Sequence, residues 1–282
     1  MIDKIAITLL ISVESFVLCH LKDMGEAILN WTTLNEYELE HRINGGTTVD
    51  LKDYPFNVQF FNYGGICGGT KLTTKIVLTA AHCFDFNKNK AEMRILSDCQ
   101  FIYGHKSNIH YIWDFIVHEH YNETTVFSND VAVIIIHDKF VLGPYVQKAI
   151  LIDNDVWMNE NETSFIGTGW GKLEKNNIKN NKHNGLMMVQ LRYISRDKCS
   201  HMNNVQLSPD MFCLYGDGRG DTCHGDSGGG ILWNRRIVGI VSHGRGCGKT
   251  PSMYGNVYYL KPWIEVAVKE LYKRFCRFHY HE

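Results

Sequence analysis

The sequence predicts an all-β protein of sandwich or barrel type. Short apolar runs, largely β-branched, recur at Ile76 to Leu78, Val131 to Ile136 and Ile237 to Val241, as strands covered on both faces would read. Gly, Asn and Asp separate these runs at the short intervals that packed or closed sheets require. One segment has a different period. After Pro262, the residues Trp263, Ile264, Ala267, Val268, Leu271, Tyr272 and Phe275 recur at helical spacing, with proline at a tolerated first-turn position, so a helix should close the chain.

The bulk properties agree with a globular chain. With 282 residues and 44% hydrophobic content, it can bury one large core or two modest ones. Its 29 Lys and Arg against 30 Asp and Glu leave a net charge of -1, so no long-range field favours nucleic acid or an anionic membrane. No repeat of fixed period occurs, and no run of eighteen apolar residues follows the amino-terminal segment, which argues against a membrane span. The Asn- and Lys-rich stretch from Lys172 to Asn184 reads as an exposed loop.

At the amino terminus, Lys4 precedes an apolar stretch from Ile5 to Leu18, the order of a secretory signal covering residues 1–19. An amphipathic helix of the mature protein is the alternative, although Thr8, Ser12, Glu14 and Ser15 form no clean stripe. Sequons at Asn30, Asn122 and Asn161 fit an exported glycoprotein. The nine cysteines then read as a disulfide framework, with Cys19 leaving with the signal. No C-x-x-C pair or H-E-x-x-H unit supports zinc, and most of the 14 histidines read as ordinary surface or half-buried residues.

Three segments carry chemistry. Gly225-Asp226-Ser227-Gly228-Gly229-Gly230 lets the backbone turn tightly and brings main-chain N–H groups near a substrate carbonyl. Leu78-Thr79-Ala80-Ala81-His82-Cys83 sets one His at the end of an apolar strand, beside a Cys that would fix it. Asn129-Asp130-Val131-Ala132-Val133 carries a carboxylate into a buried strand, where it needs a partner.

In the order His, Asp, Ser, these segments resemble the chymotrypsin and trypsin family of serine proteases, over about residues 43 to 275. Arg42-Ile43-Asn44-Gly45-Gly46, Thr168-Gly169-Trp170-Gly171 and Val241-Ser242-His243-Gly244 match further landmarks. The resemblance implies two six-stranded antiparallel β-barrels, about 43–150 and 151–260, with the active site between them. A carboxy-terminal helix, 261–276, would pack across onto the first barrel. It implies disulfides Cys67 to Cys83, Cys199 to Cys213 and Cys223 to Cys247, each stabilising by about 2–4 kcal/mol. Cys99 and Cys276 are unmatched: pairing with each other, bridging to another chain and remaining as thiols all stay open.

The resemblance also assigns roles. Ser227 is the nucleophile, His82 the general base and Asp130 the carboxylate that orients it. The N–H groups of Gly225 and Ser227 form the oxyanion hole, and Ser242 hydrogen-bonds Asp130. Residues 20–42 are an activation propeptide; cleavage after Arg42 frees the Ile43 amine to pair with Asp226 and order the site of the 43–282 peptidase domain. Asp221 lies at the base of the primary pocket and implies cleavage after Arg or Lys, with Thr222, His224, Ser242, His243, Gly244 and Ser252 along the pocket. Ser252 stands where trypsins have Gly and would narrow the slot. His243 stands where most members have Trp and would introduce pH dependence near its own titration.

The stretch Ser97-Asp98-Cys99-Gln100-Phe101-Ile102-Tyr103, which corresponds to the family's calcium loop, holds one acid, so neither a structural metal nor a cofactor is expected. The expected partners are protein or peptide substrates and protein inhibitors, acting on a secreted monomer. The alternative is a weak or inactive homologue that binds partners as a decoy; a hydrolase of chymotrypsin-like or elastase-like specificity is disfavoured by Asp221.

Overall fold

The structure is a computed structural model that describes residues 46–279 apart from 64, 103, 105–106, 159–163, 172–184 and 219. The expected signal and propeptide, with Arg42 and Ile43, the sequons at Asn30 and Asn161, and the Lys172 to Asn184 stretch lie outside the described residues. In chain order the strands are β1 (Thr47–Thr48), β2 (Asn57–Asn62), β3 (Gly65–Lys71), β4 (Ile76–Thr79), β5 (Met93–Ser97), β6 (Asn108–Val117) and β7 (Ala132–Ile136). They continue as β8 (Ser164–Gly169), β9 (Met187–Ile194), β10 (Met211–Tyr215), β11 (Gly230–Trp233), β12 (Arg236–His243) and β13 (Ser252–Asn256). Helix α1 (Arg196–Asn203) lies between β9 and β10, and α2 (Val257–His279) follows β13.

Strands β2-β3-β4-β7-β6-β5 close the first antiparallel barrel. In the second, β9-β10-β13-β12-β11-β8 closes through an additional β8–β9 pairing, and β1 adds to the outside of β9. The two six-stranded barrels expected from the family resemblance are therefore present.

The apolar runs are continuous because their two faces enter different cores. From β7, Ala132, Ile134 and Ile136 fill the first barrel with Val58, Phe60, Val77 and Ile95. Val131, Val133 and Ile135 of the same run point the other way, into a core shared with the second barrel and α2. Strand β4 divides similarly, Val77 to one side and Ile76 and Leu78 to the other. A period of two with both faces covered leaves no polar position to alternate.

Helix α2 begins at Val257, so Pro262 falls inside it rather than in its first turn. The extra turn is held by buried Val257 and Leu260, and Asn256 Oδ1 accepts from Tyr259 N at 3.3 Å. Ile264, Ala267 and Leu271 join the shared core. Farther along, Tyr272 and Thr73 share a 2.6 Å hydroxyl contact, and Lys75 lies 4.3 Å from the centroid of the Phe275 ring, both on the first barrel. The helix thus ties the barrels together across the region where they meet. No helix among the described residues is long and apolar enough to cross a membrane.

Candidate active site

Antiparallel pairing of β4 with β7 sets Thr79 opposite Ala132. The chain leaving β4 and the chain entering β7 therefore lie at the same barrel edge, and His82 and Asp130 meet there. A disulfide from Cys83 to Cys67 on β3 anchors the turn that carries His82. From the second barrel, the Ser227 turn presses against this edge, where Gly68 N donates to Ser227 O at 2.7 Å, while Gly228 N donates to Val241 O at 2.7 Å and ties the turn to β12 of its own barrel.

Asp130 is buried and accepts three hydrogen bonds: His82 Nδ1 at 2.8 Å and Ser242 Oγ at 2.5 Å, both to Oδ2, and His82 N at 2.9 Å to Oδ1. Burial works against the carboxylate, but the charge and hydrogen bond of His82, the Ser242 hydroxyl and the His82 N–H outweigh it and hold Asp130 below the usual range. At His82 burial works against the imidazolium. The charge and hydrogen bond of Asp130, with the charge of Asp85, prevail and raise its pKa above the ordinary histidine value. Ser227 and His82 both line a cavity of about 680 Å³, with no hydrogen bond made between them. Such contacts often tighten only with substrate bound.

The amides around the nucleophile divide into two groups. Those of Asp226, Gly228 and Gly229 donate to backbone carbonyls, whereas no hydrogen bond among the described residues uses the N–H of Gly225 or Ser227. Gly225 adopts φ +103°, a conformation that side-chain-bearing residues avoid. Two unengaged N–H groups beside a serine, in a turn that requires glycine, suit an oxygen that gains negative charge.

The remaining predicted residues fall around this centre. Thr222, His224, Ser242, His243, Gly244 and Ser252 line the cavity; Asp221 does not. Ser252, on the wall, donates to Asp221 Oδ2 at 2.6 Å, and Gly248 N donates to the same oxygen at 2.9 Å. Burial nonetheless raises the Asp221 pKa against those bonds. Asp226 is buried and accepts from Gly171 N at 2.7 Å and Cys223 N at 2.9 Å, yet burial pushes its pKa up to about 6. A Cβ on Gly169 or Gly171 would come within 2.1 and 2.3 Å of its carboxylate oxygens, so the Thr168 to Gly171 segment is shaped around this acid.

The three disulfides implied by the resemblance are formed. Cys99 and Cys276 do not pair with each other: Cys99 is a buried free thiol, and Cys276 is not. Among the described residues, the one grouping with metal-ligand spacing is Cys67, His82 and Cys83, whose sulfurs are already joined as a disulfide.

Sequence reasoning missed Phe127. Its ring meets His82 edge-on at 5.6 Å and stacks on His243 at 4.2 Å and 19°. Phe127 and Asn129 both have positive φ, and this local backbone turns the ring into the cleft. Tyr254 was missed too; its hydroxyl meets Thr222 Oγ1 at 2.9 Å and Asp221 Oδ1 at 3.4 Å.

A serine, a histidine and a buried aspartate at the junction of two β-barrels define a serine hydrolase of the double-barrel kind. Residues 43–264 match the sequence model of the Trypsin family, and the chain belongs to that family. Similar proteins include trypsin epsilon of Drosophila erecta, 28% identical over 240 residues that span 83% of this chain and 90% of the relative. Hypodermin-B of Hypoderma lineatum is 28% identical, over 82% of this chain and 90% of its own length. The vitellin-degrading protease of Bombyx mori is 26% identical, over 83% and 90%.

Proposed function

We propose that the protein is a secreted zymogen which, once cut after Arg42, is a serine endopeptidase acting on the carboxyl side of Arg or Lys. The observation that carries the catalytic part is the set of directed hydrogen bonds onto Asp130, beside two amides that no hydrogen bond among the described residues uses. A Ser hydroxyl is a weak nucleophile at neutral pH, so neutral His82 takes its proton during attack on the scissile carbonyl and later delivers a proton to the leaving amine. Asp130 holds the Nδ1–H tautomer and stabilises the imidazolium. The carbonyl oxygen, as it becomes an oxyanion, receives the N–H groups of Gly225 and Ser227; losing one such donor costs about 3–4 kcal/mol of transition-state stabilisation. Water then repeats the sequence on the acyl-enzyme.

Activation is supported by Asp226, a buried acid with two amide donors and no cation among the described residues. Its pKa of about 6 marks an unfavourable charge that a new α-amino group at Ile43 would offset. Basic specificity is supported by Asp221, whose buried charge a substrate guanidinium or ammonium would stabilise, directly or through the Ser252 hydroxyl on the cavity wall. Export is supported by the amino-terminal pattern and the disulfides.

The test is hydrolysis of short Arg, Lys, Phe and Ala amides by protein cut after Arg42, with Ser227→Ala beside it. Turnover of the Arg or Lys amides that disappears in the variant is the expected result. Preference for Phe or Ala would refute the role of Asp221, and no turnover by folded, cut protein would refute the catalytic reading.

A further inference from the structure

The hydrogen bonds onto Asp130 extend one residue beyond the serine, histidine and aspartate. Ser242 has one hydroxyl proton, and an ionised carboxylate can only accept, so that proton lies on the 2.5 Å contact to Asp130 Oδ2. The same Ser242 oxygen is 3.1 Å from His243 Nδ1. With its own proton committed, Ser242 must accept in that contact, so His243 carries its proton on Nδ1. The face of the His243 ring rests on Phe127, which fixes the ring plane. Burial lowers the His243 pKa to about 4, against the pull of Asp130, so the ring is neutral at pH 7.

The outcome is a one-way chain of donors: His243 Nδ1–H to Ser242 Oγ, then Ser242 Oγ–H to Asp130 Oδ2. His82 Nδ1–H meets the same carboxylate oxygen. We propose that His243 is a positioning residue for Asp130: by donating to Ser242 Oγ it strengthens the bond with which Ser242 holds the carboxylate, and so sets how much negative charge Asp130 presents to His82. Hydrogen bonds in series polarise one another, so a donor to Ser242 strengthens the bond Ser242 makes. A hydrocarbon ring in place of His243 would keep the stack and remove that donor, leaving the bond from Ser242 to Asp130 weaker. The charged or titratable groups that bear on this chain are Asp130, Asp85, His82 and Tyr121, whose hydroxyl donates to Asp85 Oδ2 at 3.1 Å.

Two substitutions separate the hydrogen bond from the stack. His243→Phe keeps a ring against Phe127 without the donor; His243→Asn gives up the ring but sets an amide nitrogen near the place of Nδ1. The readout is an NMR titration of the His82 ring in the full chain, assigned by its loss in His82→Ala, which needs no turnover. We expect the His82 midpoint to rise by ~0.3 pH unit in His243→Phe, as charge returns to Asp130, and to return to the parent value in His243→Asn. In cut protein the same pair should separate kcat from KM: a weaker Ser242 bond holds the Asp130 carboxylate, and through it the His82 ring, less firmly for proton transfer, a loss that outweighs the small gain in basicity, so His243→Phe lowers kcat by roughly 3- to 10-fold with KM within about 2-fold, and His243→Asn restores kcat. An unchanged His82 midpoint in His243→Phe, or an equal shift in both variants, would overturn the proposal. Ring nitrogen shifts showing the Nε2–H tautomer of His243 in the parent would overturn it as well. The kinetic arm rests on the peptidase reading; a parent without turnover but with the titration shift would refute that reading and leave the coupling in place.

Discussion

Two Ser, His and Asp sets occur among the described residues, and they are arranged inside out with respect to each other. At the cleft, the side chain of Asp130 is 1% exposed and that of His82 18%, and Ser227 opens on the cavity. In the second set Asp138, after β7, is 58% exposed, while His110 on β6 and Ser97 at the end of β5 are buried. By distance the second set is the more complete: Ser97 Oγ lies 2.8 Å from His110 Nε2, and His110 Nδ1 lies 2.9 Å from Asp138 Oδ2.

What separates them is the order of burial. A carboxylate with little solvent around it acts on its histidine almost unscreened, and at His82 this outweighs desolvation and raises the pKa. Asp138 is solvated and its field is weakened, so burial prevails at His110 and lowers the pKa, with the Lys71 charge adding to the effect. Lys71 is itself wholly buried, with its Nζ on the carbonyls of Pro55 and Asn57, and burial brings its pKa to about 7. Triad distances alone therefore define a hydrogen-bond network. A nucleophile also needs an open serine, donors for an oxyanion and a sheltered acid.

The largest test of this contrast exchanges the serines. Ser227→Ala should abolish amide hydrolysis, with kcat falling on the order of a million-fold. Ser97→Ala should leave kcat within about 2-fold and instead cost about 1–3 kcal/mol in urea unfolding, because a buried His110 nitrogen loses its partner. The carboxylates come next: Asp130→Asn should lower kcat by roughly 10⁴-fold, and Asp138→Asn should leave it near the parent value.

A smaller effect appears in titration. The NMR midpoint of His82 should lie above 6.5 and that of His110 below it. Linkage then gives opposite signs. The His82 contribution to stability is present below the unfolded value near 6.5 and is lost as pH rises through the higher folded pKa. The His110 contribution is present above about 6.5 and is lost as pH falls through that value toward the lower folded pKa. Urea unfolding of His110→Phe across that range should lose the acid-side slope; an unchanged slope would remove His110 from the account. The acid limb of kcat/KM should track the His82 midpoint, since the base must be neutral.

The two sets also differ in how much of them the sequence disclosed. His82, Asp130 and Ser227 each sit in a compact segment whose neighbours serve the same purpose: a strand end, a strand start and a glycine-rich turn. The barrels were legible for a similar reason, because runs such as Val131 to Ile136 are apolar on both faces only when two cores flank them. Ser97, His110 and Asp138 lie on separate elements with no local pattern, and only the β5–β6 and β6–β7 pairings bring them together. Lys71 reads as a surface charge until the two carbonyls that hold it are seen. Phe127 reaches His243 from a backbone with positive φ at Phe127 itself and at Asn129; an Asn is compatible with that conformation but does not require it, and a Phe gives no sign of it. The start of α2 was misplaced because Pro262 usually marks a first turn, whereas here buried Val257 and Leu260 hold an earlier one.

The most direct test of the central claim is to treat the protein cut after Arg42 with a fluorophosphonate, which phosphonylates activated serines, and to map the modified peptide by mass spectrometry. The expected result is one label, on Ser227, that is lost in His82→Ala and unaffected by His110→Phe. A label on Ser97, or no label on folded and cut protein, would contradict the assignment of the cleft set as the catalytic one.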